Sequence, residues 1–254
     1  MSETQTPLPP FTGRPLVKNP ELFPKVNFLS GDFGKAVLAE FQYRVTSDFQ
    51  DNSLLRVLSY DQKNDVVIGS NPFAVVLVGT IISRNGSHVA TPADLECVLQ
   101  SGVLSLRGVY VDSAVVLRDE DEPNSYLAKD LLVQLRARGS VDLPVMLLLR
   151  DLAIRYDQES PYGLAFTLKD SVQPVYAPVL NNVDGSRFTS DDVDGATGLP
   201  KNVGRGDRVL RTRRSGLSRL YMGSVLGLGA SNGDLNDSGT AGLVCIVSAG
   251  GATK

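Results

Sequence analysis

Histidine and cysteine are almost absent from this chain of 254 residues: His88 is the one histidine, and Cys97 and Cys245 are the two cysteines. A structural zinc site needs about four His, Cys or carboxylate ligands at suitable spacing. Two distant cysteines do not supply them, and no metal or cofactor is expected. The same scarcity rules out a disulfide scaffold. Both cysteines lie beside apolar residues, which predicts buried free thiols, with a Cys97–Cys245 bridge as the alternative. A Walker loop and a G-x-S-x-G elbow are also missing. His88, in Gly86-Ser87-His88, has no nucleophile motif beside it and reads as a loop histidine. A non-enzymatic protein is the expectation.

Long apolar runs are missing too. None reaches the roughly 18 residues that suggest a membrane span. The start, MSETQTPLPPFTGRP, has no basic segment followed by an apolar one, so no secretory signal is read. A cytoplasmic or virion-associated location is expected, with no membrane partner. The formal net charge of −3 gives no global pull toward nucleic acid.

What is present is an ordinary globular composition, 42% hydrophobic and 21% charged, able to bury a core. The mixture of strands and a few helices predicts α+β. An extended arm or irregular lead-in is expected over 1–25, where Pro7, Pro9, Pro10, Pro15, Pro20 and Pro24 fix φ and remove donors, with a loose chain end as the plainer reading and an arm that docks on another subunit as the other. A strand region at 26–70 and a main domain at 71–254 would follow.

Val37, Ala39, Phe41, Tyr43 and Val45 alternate with polar residues apart from Leu38, which predicts a half-buried strand. Leu54–Tyr60 reads as its partner, and Asp61–Asp65 as a turn before Val66–Ile68. Phe73–Ile82 predicts a helix. Thr91-Pro92-Ala93-Asp94 starts another, with Thr91 as cap, and Gly102 closes it. Val109–Leu117 reads as a strand. Asn124 is expected to cap a helix whose apolar face is Leu127, Ala128, Leu131, Leu132 and Leu135, ended by Gly139. Val145–Tyr156 and Tyr162–Leu168 read as strands of a hairpin, Val175–Leu180 as a short strand, and 181–206 as mostly loop.

Two charged segments compete for a function. Asp191, Asp192 and Asp194 resemble a fragment of a calcium loop without its closing Glu, and a solvated loop is the plainer reading. Lys201, Arg205, Arg208, Arg211, Arg213, Arg214 and Arg219 stand against Asp207 alone. They form either a phosphate-binding patch or a set of arginines paired with acids of the same chain or a neighbouring subunit. The lack of interleaved aromatics favours pairing, so nucleic acid is not the expected partner.

The tail from Leu217 to Gly250 interleaves two kinds of position. Leu217, Leu220, Tyr221, Leu226, Leu228, Leu235, Val244, Ile246 and Val247 look like a frame. Between them stand small residues, mostly Gly, Ser, Asn, Asp, Thr and Ala. A Gly-rich run of turns between short strands is one reading. A display surface on a fixed frame is the other.

Arg211–Tyr221, RTRRSGLSRLY, with the small-residue run and Gly242–Ala249, resembles the C-terminal variable region of target proteins of diversity-generating retroelements. In that family a reverse transcriptase copies a template repeat with errors at adenines, so Asn codons become Gly, Ser, Asp, Thr, Ala, Val and others. The resemblance implies a C-type-lectin-like fold, with a variable region over 217–249. Val89–Glu96 is faintly similar to the early helix of such domains. It also implies a ligand-binding set: Met222, Gly223, Ser224, Val225, Gly227, Gly229, Ser231, Asn232, Gly233, Asp234, Asn236, Asp237, Gly239, Thr240, Ala241 and Leu243. The partner would be an unknown protein or surface ligand, at modest affinity because aromatic and Arg anchors are scarce there. The alternative is a structural or assembly protein, perhaps of a virion, forming a homo-oligomer through the proline arm and the tail.

Overall fold

The computed structural model describes residues 25–248. The proline-rich arm expected over 1–25 lies outside the described residues except for Lys25, where β1 (Lys25–Phe28) begins. Helix α1 (Gly31–Asp48) replaces the strand expected over 37–45. Its buried residues are Gly34, Val37, Leu38, Phe41 and Val45, while Ala39 and Tyr43 are exposed. Leu38 is therefore the informative residue: the 37–38–41–45 spacing is one helix face, not one face of a strand.

The partner expected over 54–60 starts instead as a 3-10 turn, Ser53–Leu55, whose Leu54 N–H donates to the Asn52 side chain at 2.9 Å. Only β2 (Ser59–Asp61) is extended, and it forms a hairpin with β3 (Val66–Ile68). Helix α2 (Pro72–Ile82) is buried along nearly its whole length. Asn71 caps it by accepting from Ala74 N–H at 2.8 Å. After β4 (His88–Val89), helix α3 (Pro92–Ser101) carries the expected capping box between Thr91 and Asp94 and ends at Gly102, whose φ of 67° is left-handed.

The central strand is β5 (Val111–Leu117), and every one of its residues is buried. Both its faces are covered, which is why its sequence lacks polar alternation. Helix α4 (Ser125–Arg136) buries the five expected apolar residues against β8. The single strand expected over 145–156 is two, β6 (Val145–Leu148) and β7 (Leu152–Tyr156), broken by a 3-10 turn at Leu149–Asp151. The break lets β6 stay in the large sheet while β7 pairs with β8 (Leu164–Leu168) as the expected hairpin. β9 (Val175–Tyr176) is shorter than expected because Pro178 opens another 3-10 turn. The loop region holds one short strand, β10 (Ser186–Phe188). β11 (Arg208–Arg211), β12 (Leu217–Met222), β13 (Leu228–Gly229) and β14 (Cys245–Ser248) complete the described residues.

Seven strands form the main sheet in the order β10-β11-β13-β12-β5-β6-β9. All neighbours are antiparallel except β11 and β13. A second sheet, β1-β14-β4, ties the two ends of the described chain together. The architecture is α+β, with a mixed sheet and helices around it.

Two apolar cores lie on opposite faces of the main sheet. One takes Val115 and Leu117 from β5 and packs them with α1, α2, α4 and the β7–β8 hairpin. The other takes Ala114 and Val116 and packs them with α3, β11 and β12. The first core crosses the expected boundary at 70/71, since Leu29, Phe41 and Val67 share it with Phe73 and Val76.

Candidate functional site

The tail forms β12, a turn at 223–227, β13, a long loop at 230–243 and β14. Its apolar frame is placed as the pattern predicts. Leu217, Leu220, Leu228, Leu235, Val244, Ile246 and Val247 are buried, and Tyr221 and Leu226 are half-buried. Leu235 is the key anchor of the long loop, because it is fully buried in the first core amid exposed neighbours.

The tail backbone is held by side chains from inside and outside the tail, three of them buried arginines. Arg219 forms a two-pronged pair with Asp112, Nε to Oδ1 at 2.7 Å and Nη2 to Oδ2 at 2.6 Å. Its remaining Nη1 donates to the Asp237 carbonyl at 2.8 Å. Arg208 repeats the device: it pairs with Glu96 through Nη1 and Nη2, and its Nε donates to the Leu226 carbonyl at 2.7 Å. All four of these charged side chains are buried. A third arginine, Arg118, donates to the Ala230 carbonyl at 3.0 Å and to Leu180, Thr212 and Ser218. Burial without a bonded carboxylate pulls its pKa down to about 10. Arg213 donates to the Ser231 carbonyl at 3.1 Å, and Asn124 to the Gly233 carbonyl at 2.6 Å.

Two tyrosines complete the frame. The Arg219 guanidinium lies 5.1 Å from the ring centres of both Tyr110 and Tyr221. The Tyr110 hydroxyl accepts from Gly239 N–H at 2.8 Å and donates to the Ser70 carbonyl at 3.1 Å. Ser70 in turn donates its hydroxyl to Asp112 at 2.6 Å. Burial pushes the Asp112 carboxyl up, with Arg219 and Ser70 opposing. Along the backbone, Gly108 N–H donates to Ser224, and Tyr110 N–H to Ala241, each at 3.0 Å. The segment 108–110 therefore lies beside both the turn and the long loop and brings them onto one face.

The side chains implied in binding divide three ways. Ser224, Val225, Asp234, Asn236, Asp237, Gly239, Thr240 and Ala241 are exposed. Gly223, Ser231, Asn232 and Gly233 are half-buried. Met222, Gly227, Gly229 and Leu243 are buried, so these four belong to the frame and not to the presented face. The glycines among them answer to packing. A Cβ on Gly227 would come 2.7 Å from the Val209 carbonyl oxygen, and one on Gly229 would run into the Tyr221 ring. Half-buried Gly233 is closed off in the same way by Pro123 and Arg213. Gly239 has open space around it.

Several other expectations resolve here. Three of the seven basic residues of 201–219 follow the pairing reading: Arg208 and Arg219 are buried ion pairs, and Arg211 lies 3.5 Å from Asp184. Asn124 does not cap α4. It sits in the left-handed region, φ 65°, and its side chain instead bonds the carbonyls of Leu217 and Gly233 and the Tyr162 hydroxyl. Cys245 is buried, and burial pushes its thiol up to about 12, but Cys97 is exposed, and both thiols are free. The Asp191–Asp194 loop is stitched internally, with Asp194 accepting from Ala196 and Thr197 N–H. Among the described residues no group of three or more His, Cys, Asp or Glu is placed to hold a metal ion. No helix among them is long and apolar enough to cross a membrane.

Sequence reading missed Ser70, Glu96, Tyr110, Asp112 and Arg118 as parts of this assembly. Asp112 and Glu96 carried a signal: each is an acid inside an apolar strand or beside an apolar helix face, where a charge is rarely buried unpaired. No family model, no curated protein and no solved structure matches the chain.

Proposed function

We propose that this chain is a non-enzymatic binding protein whose C-terminal tail presents a diversified surface, as target proteins of diversity-generating retroelements do. The observation that carries the reading is the way the tail is held. Its backbone carbonyls at Leu226, Ala230, Ser231, Gly233 and Asp237 are gripped by Arg208, Arg118, Arg213, Asn124 and Arg219. A clamp on the main chain does not itself require a given side chain at that position, although packing closes Gly233 and buries Ala230. Ser224, Val225, Asn236, Thr240 and Ala241 are left exposed on the pinned turn and loop, while the exposed carboxylates of Asp234 and Asp237 also bond within the tail, to Asn236 N–H at 3.4 Å and to the Asn232 amide at 3.2 Å. Rigid support with free side chains is what a recognition surface needs.

The scaffold in this proposal is a C-type-lectin-like domain. The small residues of this variant give little contact area, so its affinity is modest. The coding neighbourhood tests the origin of the tail. A reverse transcriptase gene and a near-copy of the tail-coding sequence, differing only at adenines, are expected nearby; a neighbourhood holding neither would sink the retroelement reading.

A further inference from the structure

Beside the presented loop lies a cavity of about 440 Å³ that the tail only partly forms. Its walls include Glu122 and Pro123 before α4, Tyr126 on its first turn, Pro161 and Tyr162 from the β7–β8 hairpin, and Asp234 from the tail. The chemistry of these walls is one-sided. They carry two carboxylates, two phenol rings and two prolines, with no Lys or Arg among them.

Each polar group on the walls is already oriented. Tyr162 donates its hydroxyl to Asn124 at 2.6 Å, and Tyr126 donates to the Asp157 carboxylate at 3.1 Å. Tyr162 is backed by Phe73, ring centres 5.4 Å apart, and Phe73 stacks on Phe166. The phenols thus spend their protons on the protein and offer the cavity aromatic surface. Besides burial, the charges of Asp234 and Glu122 push the Tyr162 phenol up, so both carboxylates act on the same space.

The N-terminus of α4 also faces this cavity and on its own would favour an anion. Glu122 already fills that role. The Ser125 hydroxyl donates to it at 2.6 Å and, with the backbone N–H groups of Asn124 and Ser125, holds its carboxyl below the usual range. A helix end supplies roughly half a positive charge. Against it stand the full charges of Glu122 and Asp234. Lys129, one turn further along α4, is a cation whose charge also acts on Glu122, and Arg213 is committed to the Ser215 and Ser231 carbonyls behind Gly233. The balance inside the cavity is negative.

Aromatic faces beside two exposed carboxylates suit a planar, weakly hydrated cation better than a compact ammonium. We propose that this cavity is a subsite for a guanidinium group, the side chain of an arginine on a partner protein that docks against the tail. The partner rests on the binding reading above. The guanidinium subsite does not, and a small probe tests it alone.

The probe is N-acetyl-arginine methylamide, titrated into the isotopically labelled full chain at low salt, with the citrulline analogue as its neutral isostere. Saturable amide shifts are expected at Tyr126, Tyr162, Gly233 and Asp234. The citrulline analogue should bind at least about tenfold more weakly, because it lacks the charge that pairs with the carboxylates. Asp234→Asn lies on an exposed loop position and should weaken arginine binding several-fold with the remaining spectrum unchanged. Glu122→Gln should do the same if α4 stays folded. Absent shifts, equal response to citrulline, or an unaffected Asp234→Asn protein would each overturn the subsite. A protein with Ser224, Val225, Asn236, Thr240 and Ala241 replaced should still bind the probe, so the subsite and the tail reading fail separately.

Discussion

Arg219 shows how much one side chain carries. It satisfies Asp112 with two N–H groups, lies against two tyrosines and still reaches the Asp237 carbonyl. Arg219→Ala would strand Asp112 in the interior, and removing one partner of a buried pair costs about 3–5 kcal/mol. Urea unfolding should show that loss, and a loss under about 1 kcal/mol would mean the pair is dispensable. The cysteines give a second test at this scale. An aromatic disulfide reagent should label Cys97 promptly and Cys245 only on unfolding, since Cys245 is buried between β1 and β4 and its thiol is pushed up to about 12. Two equally fast thiols would contradict the pairing of β14.

Among the elements, α3 is the most legible and also the most testable. Its capping box joins Thr91 and Asp94, and Asp94→Ala should cost about 1 kcal/mol, typical of a lost cap. Burial alone would push the Asp94 carboxyl up. The His88 ring, whose Nε2 lies 3.7 Å away, and bonds from Thr91 outweigh it and hold the carboxyl below the usual range. A depressed carboxyl stabilises the fold fully above its unfolded value near about 3.9 and loses that contribution as pH falls through the lower folded value. The wild-type protein should therefore lose more stability than Asp94→Asn below about pH 4, as acid titration of the unfolding midpoint would reveal. Capping and glycine signals such as these were legible because they are local. The 37–45 segment was not. Its alternation fitted a strand, and only Leu38 marked the face that α1 buries against α2. The tail frame was legible from its apolar positions. Its clamps were not, because Asp112 meets Arg219, and Glu96 meets Arg208, across more than a hundred residues of chain. The small residues were legible only as a class: Gly227 and Gly229 are small because a backbone and a ring lie against them, whereas Ser224 and Ala241 are exposed.

At the scale of the whole molecule, the two cores share β5, and β14 contributes Ile246 to one and Cys245 and Val247 to the other. Such shared strands predict one cooperative unfolding transition, with far-ultraviolet dichroism and Cys245 accessibility changing together. The exposed tail positions contribute to neither core. Two libraries compare these roles directly. One randomises Ser224, Val225, Asn236, Thr240 and Ala241; the other randomises Gly227, Gly229, Leu235 and Arg219. The first should keep the wild-type unfolding midpoint in most members, since surface changes typically stay within about 0.5 kcal/mol. The second should lose cooperative unfolding in most members. Equal losses in the two libraries would contradict a tail built as a free surface on a fixed frame.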